Sequence, residues 1–249
     1  MIVMIPCQSE YRSLDLLLIG WFFIQCFCFT AYAASDSLVV LDSVPTARSE
    51  YQHIIQGGEN FKRSCLSCHS LNHFVYDDVA KTLDLTKAKM PTWPEDSWMG
   101  HPPPDLSLIT LSMSPEWLYT YLRTFYVDVA RPTGFNNLVF PNTNMPNPFV
   151  DLQGKQVLID PDFALSHLAN KKEYWYRIIK LKHSGQLSAA EFDEYVADIV
   201  AFLTYVSDPS VHKRHQLGPW VCGYLLVFAV VTLLYFRLVR KLYVQPPSS

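Results

Sequence analysis

Cys65-Leu66-Ser67-Cys68-His69 decides how this chain is read. Two cysteines three residues apart lie close to one helical turn from each other, so both sulfurs project to nearly the same side. They can reach the two vinyl groups of one porphyrin, and the histidine next to them stands where its imidazole can rise towards an iron atom. CxxCH reads as the covalent attachment site of a c-type haem. A structural zinc site needs a second Cys/His pair at zinc-finger spacing, which the sequence lacks. A thioredoxin-like redox pair needs a βαβ setting, and no such pattern surrounds Cys65. A haem tied in this way is the tool of a one-electron carrier.

Working outward, both ends of the chain are apolar. Leu16-Leu17-Leu18-Ile19-Gly20-Trp21-Phe22-Phe23-Ile24 leads towards Ala31-Tyr32-Ala33, the small-x-small pattern of a signal-peptidase site. A signal peptide over residues 1–33 is expected, cleaved after Ala33 or Ala34. Arg12 is flanked by Glu10 and Asp15, so an uncleaved anchor is the alternative; either reading exports the haem-binding region. Gly218 to Phe236 carries no charge. At 1.5 Å per residue it spans about 28 Å, close to the hydrocarbon thickness of a bilayer. Trp220 and Tyr235 stand near its ends, and Arg237, Arg240 and Lys241 come directly after and favour the cytoplasmic side; Lys213 and Arg214 precede the span, so the export signal rather than the charge bias sets the expected orientation.

The resulting layout is an exported haem domain over residues 34–215, a transmembrane helix over 216–238 and a cytoplasmic tail over 239–249. Cys7, Cys26 and Cys28 leave with the signal peptide, Cys65 and Cys68 are used by haem, and Cys222 lies in the span, so no pair remains for a disulfide. A formal net charge of −3 argues against nucleic acid as a partner.

The exported region reads as helices joined by proline-rich loops. A first helix is expected from near Thr46 to the haem cysteines. Gly57 and Gly58 are poor helix formers, and their use is close approach of another helix, with Phe61 one turn on. Ser114-Pro115-Glu116 starts a second helix as N-cap, first helical residue and dipole partner, continued by the apolar face of Trp117, Tyr121 and Phe125. Ser188-Ala189-Ala190-Glu191 is a capping box, continued by the stripe Phe192, Val196, Ile199, Leu203 and Val206. With no strand alternation visible, the expected class is all-α, a class I cytochrome c-like haem domain with long loops plus one C-terminal transmembrane helix.

A high-potential haem usually carries Met opposite His. Met90-Pro91 and Met145-Pro146 are the candidates. Met145 sits in a proline-stiffened loop well after the CxxCH with a helix between, and is favoured. Met90 precedes any helix that closes a pocket. His73, His101 and His167 are weaker rivals.

Several segments occur in one family's order. They are Trp98-Met99-Gly100, Pro103-Pro104-Asp105-Leu106-Ser107, the run from Trp117 to Tyr126, Arg131-Pro132-Thr133-Gly134-Phe135-Asn136-Asn137, Met145-Pro146, and Asp198-Ile199-Val200-Ala201-Phe202-Leu203 before Pro209. From about residue 55 to the C-terminus the chain resembles the cytochrome c1 family, the haem subunits of cytochrome bc1 complexes, in their compact bacterial form. The resemblance implies one covalent haem c held by Cys65 and Cys68, iron ligated by His69 and Met145, and Pro103 and Pro104 walling the haem. It implies an electron taken from the Rieske iron–sulfur protein and given to a soluble cytochrome c. It also implies an anchor beside cytochrome b in the lipid bilayer of a bacterial inner membrane, with the haem domain periplasmic. Quinol oxidation would belong to the complex rather than to this chain.

One departure stands out. Where relatives carry Arg-x-Arg for a haem propionate, this chain has the uncharged Leu108-Ile109-Thr110-Leu111-Ser112-Met113. Arg123 or Arg131 is the expected substitute, through charge-assisted hydrogen bonds. The rival readings are a membrane cytochrome c feeding a terminal oxidase and a five-coordinate haem sensor or peroxidase. A third is a structural assembly subunit with a silent haem.

Overall fold

One glycine sets the central crossing of the fold, and the next seats Leu83 against the same helix. In the computed structural model, which describes residues 39–45, 50–160 and 174–243, α1 (Tyr51–Ser64) packs on α6 (Ala189–Ser207). A Cβ on Gly57 would lie 1.9 Å from the Asp198 carbonyl oxygen, and one on Gly58 would lie 2.2 Å from Leu83 Cδ1. At Gly57 the obstacle is backbone, so only a residue without a side chain permits that approach. Phe61 fills the space beyond, 5.6 Å from the Phe202 ring. α1 begins at Tyr51, and the expected start near Thr46 falls outside the described residues.

The other long elements owe their starts to their caps. Ser114 accepts from the Trp117 amide and Pro115 opens α5 (Pro115–Arg123). Ser188 and Glu191 close both bonds of the capping box that starts α6. Phe192, Val196, Ile199, Leu203 and Val206 on α6 are all buried. Three short helices lie between α1 and α5: α2 (Asp78–Thr82), α3 (Ser97–Gly100) and α4 (Ile109–Ser112).

The all-α expectation needs correction, because the domain is mostly helical but carries two small antiparallel sheets. β1 (Phe125–Val127) pairs with β2 (Phe135–Asn137), and β3 (Gly154–Leu158) pairs with β4 (Ile179–Ser184). Gly154 has φ +99° and a Cβ there would meet the His183 carbonyl at 2.1 Å, so glycine is what lets β3 begin. Buried Gln156 donates to the carbonyls of Arg123 and Phe125, both at 2.9 Å, and fastens this second sheet to the end of α5. Strands of three to six residues are too short to show a period of two against loop sequence.

α7 (Val211–Tyr243) stands apart in character. Its stretch Lys213–Leu242 is long and apolar enough to cross a membrane. At 1.5 Å per residue it measures about 45 Å, the thickness of a bilayer with its headgroup regions. Trp220 is 80% exposed, and Leu226, Phe228 and Leu234 are also more than half exposed, so this is no core helix of the head domain.

Candidate functional site

The CxxCH run takes shape from the end of α1. Cys65 is its C-cap, with its amide bonded to the Phe61 carbonyl, and the amides of Cys68 and His69 both return to the Cys65 carbonyl. This tight turn brings Cys65, Cys68 and His69 to the wall of one cavity of about 570 Å³. Met145, Pro103 and Pro104 line the same cavity. Trp117, Leu118, Ile199 and Leu203, from α5 and α6, add apolar wall. The size and greasy lining are those of a cofactor site.

His69 is held for ligation. Its Nδ1 lies 2.9 Å from the Pro104 carbonyl oxygen. A carbonyl only accepts, so Nδ1 carries the proton and Nε2 keeps a lone pair for a metal. Burial pushes the imidazole pKa down, against the Pro104 hydrogen bond and the Asp105 charge, which keeps the ring neutral.

Asp105 builds the frame behind it. Its carboxylate accepts from Ser70 Oγ and the Asn72 amide at 2.7 Å and from the Ser107 amide at 2.9 Å. Burial works against the charge, but hydrogen bonds from Ser107, Asn72 and Ser70 outweigh it and hold the carboxyl below its ordinary value. The Leu106 amide also donates to the Ser70 carbonyl. Pro103-Pro104-Asp105-Leu106-Ser107 is thus the strip that ties the cavity wall to the CxxCH turn. Sequence reasoning assigns the two prolines to packing and misses the part played by Asp105.

The methionine candidates separate clearly. Met145 lines the cavity. Met90 does not; it is buried behind the CxxCH turn, with its sulfur 3.3 Å from the Leu71 amide. His101 reaches the cavity wall, His73 is exposed away from it, and His167 lies outside the described residues.

Neither arginine lines the cavity. Arg123 is buried, with Nη1 on Asp42 at 2.6 Å and Nε on Asp193 at 2.7 Å, and its guanidinium lies over the rings of Tyr119 and Trp175. Arg131 Nη2 instead donates to the carbonyls of Asn142 and Thr143 and to Asn144 Oδ1, at 2.6, 3.4 and 3.0 Å. It braces the loop that presents Met145. Among the described residues the cavity has no Asp, Glu, Lys or Arg on its wall; Asn142, Asn144 and His101 are its polar groups towards solvent. Ile109 and Met113 of the uncharged stretch face the cavity, while Leu108 and Leu111 are exposed.

The cysteines are not a redox pair by character. Burial first, and then the neighbouring Cys68, pushes the Cys65 thiol up to about 12. A reactive dithiol has a depressed pKa, so this one is the wrong way round. Among the described residues no group of three or more His, Cys, Asp and Glu gathers for a bare metal ion. One imidazole nitrogen, one thioether sulfur and two adjacent thiols around an apolar cavity fit a c-type haem.

The sequence profile of the Cytochrome C1 family matches residues 95–243. This chain belongs to the cytochrome c1 family. The match begins after His69, so the profile and the CxxCH reading are separate lines of argument. A cytochrome c1 of Allochromatium vinosum is 34% identical over 223 residues, covering 80% of this chain and 89% of that protein. A protein of Nitrosomonas europaea named ammonia monooxygenase gamma subunit is 33% identical over 233 residues, covering 86% of this chain and 92% of its own length. Membership supports a bc1-type cytochrome with a c-type haem as its cofactor.

Proposed function

We propose that the chain is the electron outlet of a bc1 complex, taking one electron from the Rieske iron–sulfur protein and passing it to a soluble cytochrome c. The observation that carries this reading is the single cavity shared by Cys65, Cys68, His69 and Met145. In it Cys65 and Cys68 would hold haem c, and His69 Nε2 and Met145 Sδ would ligate its iron. When bound, the haem supplies the one-electron couple. The chain's own residues do the rest. Pro104 fixes the His69 tautomer, Asp105 fixes the strip that carries Pro104, and Arg131 fixes the Met145 loop. Pro103 and the α5 and α6 side chains keep water away. Met145 on the same cavity wall as His69 offers a second ligand for the iron, which favours the electron-carrier reading over the sensor or peroxidase reading. Family membership supports bc1 over a terminal-oxidase donor.

The layout completes the reading: signal peptide 1–33, periplasmic haem domain 34–215, membrane helix 216–238 beside cytochrome b, and cytoplasmic tail 239–249 of a bacterial inner membrane. The signal peptide lies outside the described residues. A second reading comes from the Nitrosomonas europaea relative, whose name points to a monooxygenase assembly. Both readings use the same cavity and differ in partner.

Membranes carrying the protein provide the test. Added quinol should reduce its haem, oxidised soluble cytochrome c should reoxidise it, and removal of the Rieske protein should abolish the first step. Reduction that persists without the Rieske protein would contradict the proposed donor. Co-purification with a monooxygenase in place of cytochrome b would favour the second reading.

A further inference from the structure

The second sheet carries the opposite charge to the chain as a whole. The formal net charge is −3, yet β3 and β4 hold Lys155, Lys180 and Lys182 and no carboxylate. All three lysines are exposed, and none is ion-paired among the described residues. Gln156 fixes which way the sheet faces. Its buried side chain donates to the Arg123 and Phe125 carbonyls, so its side of β3 is the inner one. Successive residues of a strand alternate, which turns Lys155 and Val157 outward. Their partners across the ladder, His183 and Lys180, share that outer face. Lys182 is the extra residue where the register shifts, opposite the step from Lys155 to Gln156. Asp151 lines a shallow hollow with Lys155 and His183 but forms no ion pair with either. Leu181 and Tyr176 add apolar surface beside the charges, 49% and 56% exposed.

We propose that the outer face of this sheet docks an acidic protein, one that presents several spaced carboxylates around an apolar contact. Like charges gathered on one sheet face repel and cost stability, and a partner's carboxylates offset that cost. Complementary charge steers the encounter and sets its register, while Leu181 and Tyr176 supply area to bury. Lysines on an open strand edge also serve to repel other strands, and β4 is paired on one side only. That role calls neither for Lys155 on the other strand nor for exposed Leu181 and Tyr176 beside the charges. A bilayer is the other anionic surface within reach, and the course of the chain argues against it. α6 starts shortly after β4 and runs 19 residues, about 28 Å at 1.5 Å per residue, before the turn into α7. The sheet therefore joins α6 at the end away from the anchor. None of these residues lines the haem cavity, so the proposal goes beyond the electron-transfer reading and does not depend on the iron ligands.

The test is binding of a fluorescent oligoglutamate peptide to the intact holoprotein in nanodiscs of neutral lipid, at low and at high salt. Wild type is compared with a triple variant, Lys155→Gln, Lys180→Gln and Lys182→Gln, and with Lys87→Gln, an exposed lysine outside the sheet. Circular dichroism checks that each variant is folded. An exposed ion pair is worth up to about fivefold in affinity, so the triple change should weaken binding by about tenfold or more. Lys87→Gln should leave it unchanged, and salt should weaken wild-type binding. Carbodiimide coupling should join the peptide's carboxylates to Lys155, Lys180 and Lys182. Equal binding by wild type and the folded triple variant, or coupling spread evenly over the chain's exposed lysines, overturns the proposal and leaves these lysines as guards of the open edge. Capture of phosphatidylglycerol vesicles through the same lysines, with no binding of the peptide, also overturns it and puts a bilayer in the partner's place.

Discussion

At the residue scale, Asp105 is the group whose loss should be felt most widely outside the ligands. It accepts three hydrogen bonds: those from Ser70 and Asn72 join the segment after the CxxCH turn to the Pro103–Ser107 strip, and the one from the Ser107 amide holds the strip itself. Asp105→Ala leaves three donors without their acceptor, and a lost charge-assisted bond is worth about 1.5–3 kcal/mol. The expected outcome is a lower thermal unfolding midpoint and a looser His69, read by calorimetry and by the haem spectrum. The carboxyl also gives a pH dependence. Its folded pKa is held below the unfolded value of about 3.9, so its contribution is complete above that pH and is lost as pH falls through the folded value. Stability of wild type should therefore drop more steeply than that of Asp105→Asn in acid titrations below about pH 4. Residue roles were only partly legible in the sequence. CxxCH and Met145 carry their chemistry in residue type and order. Arg123 does not, because its partners Asp42, Asp193 and Trp175 are distant in sequence and only the fold brings them together.

At the scale of elements, the α1–α6 crossing depends on Gly57. Its added Cβ would strike backbone, which cannot rotate away. Gly57→Ala should cost about 3 kcal/mol or more, the upper end of overpacking, and haem-loaded protein in membranes should fall sharply. Gly223→Ala on α7, where nothing lies within 4 Å, is the control and should leave the level unchanged. Equal yields of the two variants would mean that the helices do not approach as described. Helix starts were legible because capping residues act on their own neighbours, as at Ser114 and Ser188. The strands were not, because β3 and β4 meet across a long stretch of chain and exist through that pairing rather than through local pattern.

For the whole molecule, the head domain and its anchor are separable in their contacts. Among the described residues the core runs from Val39 to Val206, and α7 adds no buried apolar residue to it. A chain ended after Ser210 should mature with haem and appear in the soluble periplasmic fraction. If it stays in the membrane, the N-terminal apolar segment is an uncleaved anchor and the signal-peptide expectation fails. The anchor itself was plain in the sequence, since an uncharged run from Gly218 to Phe236 needs no tertiary context to be recognised.

The most direct test of the central claim, a closed His69/Met145 electron carrier, is a redox-resolved absorption spectrum of the purified membrane protein with and without Met145→Ala. The ferric wild type should show a methionine–iron charge-transfer band, the variant should lack it, and only the variant should bind carbon monoxide. A wild type without the band that binds carbon monoxide readily would contradict it and make the iron open. A band surviving the substitution would place another sulfur on the iron, against the burial of Met90 behind the CxxCH turn.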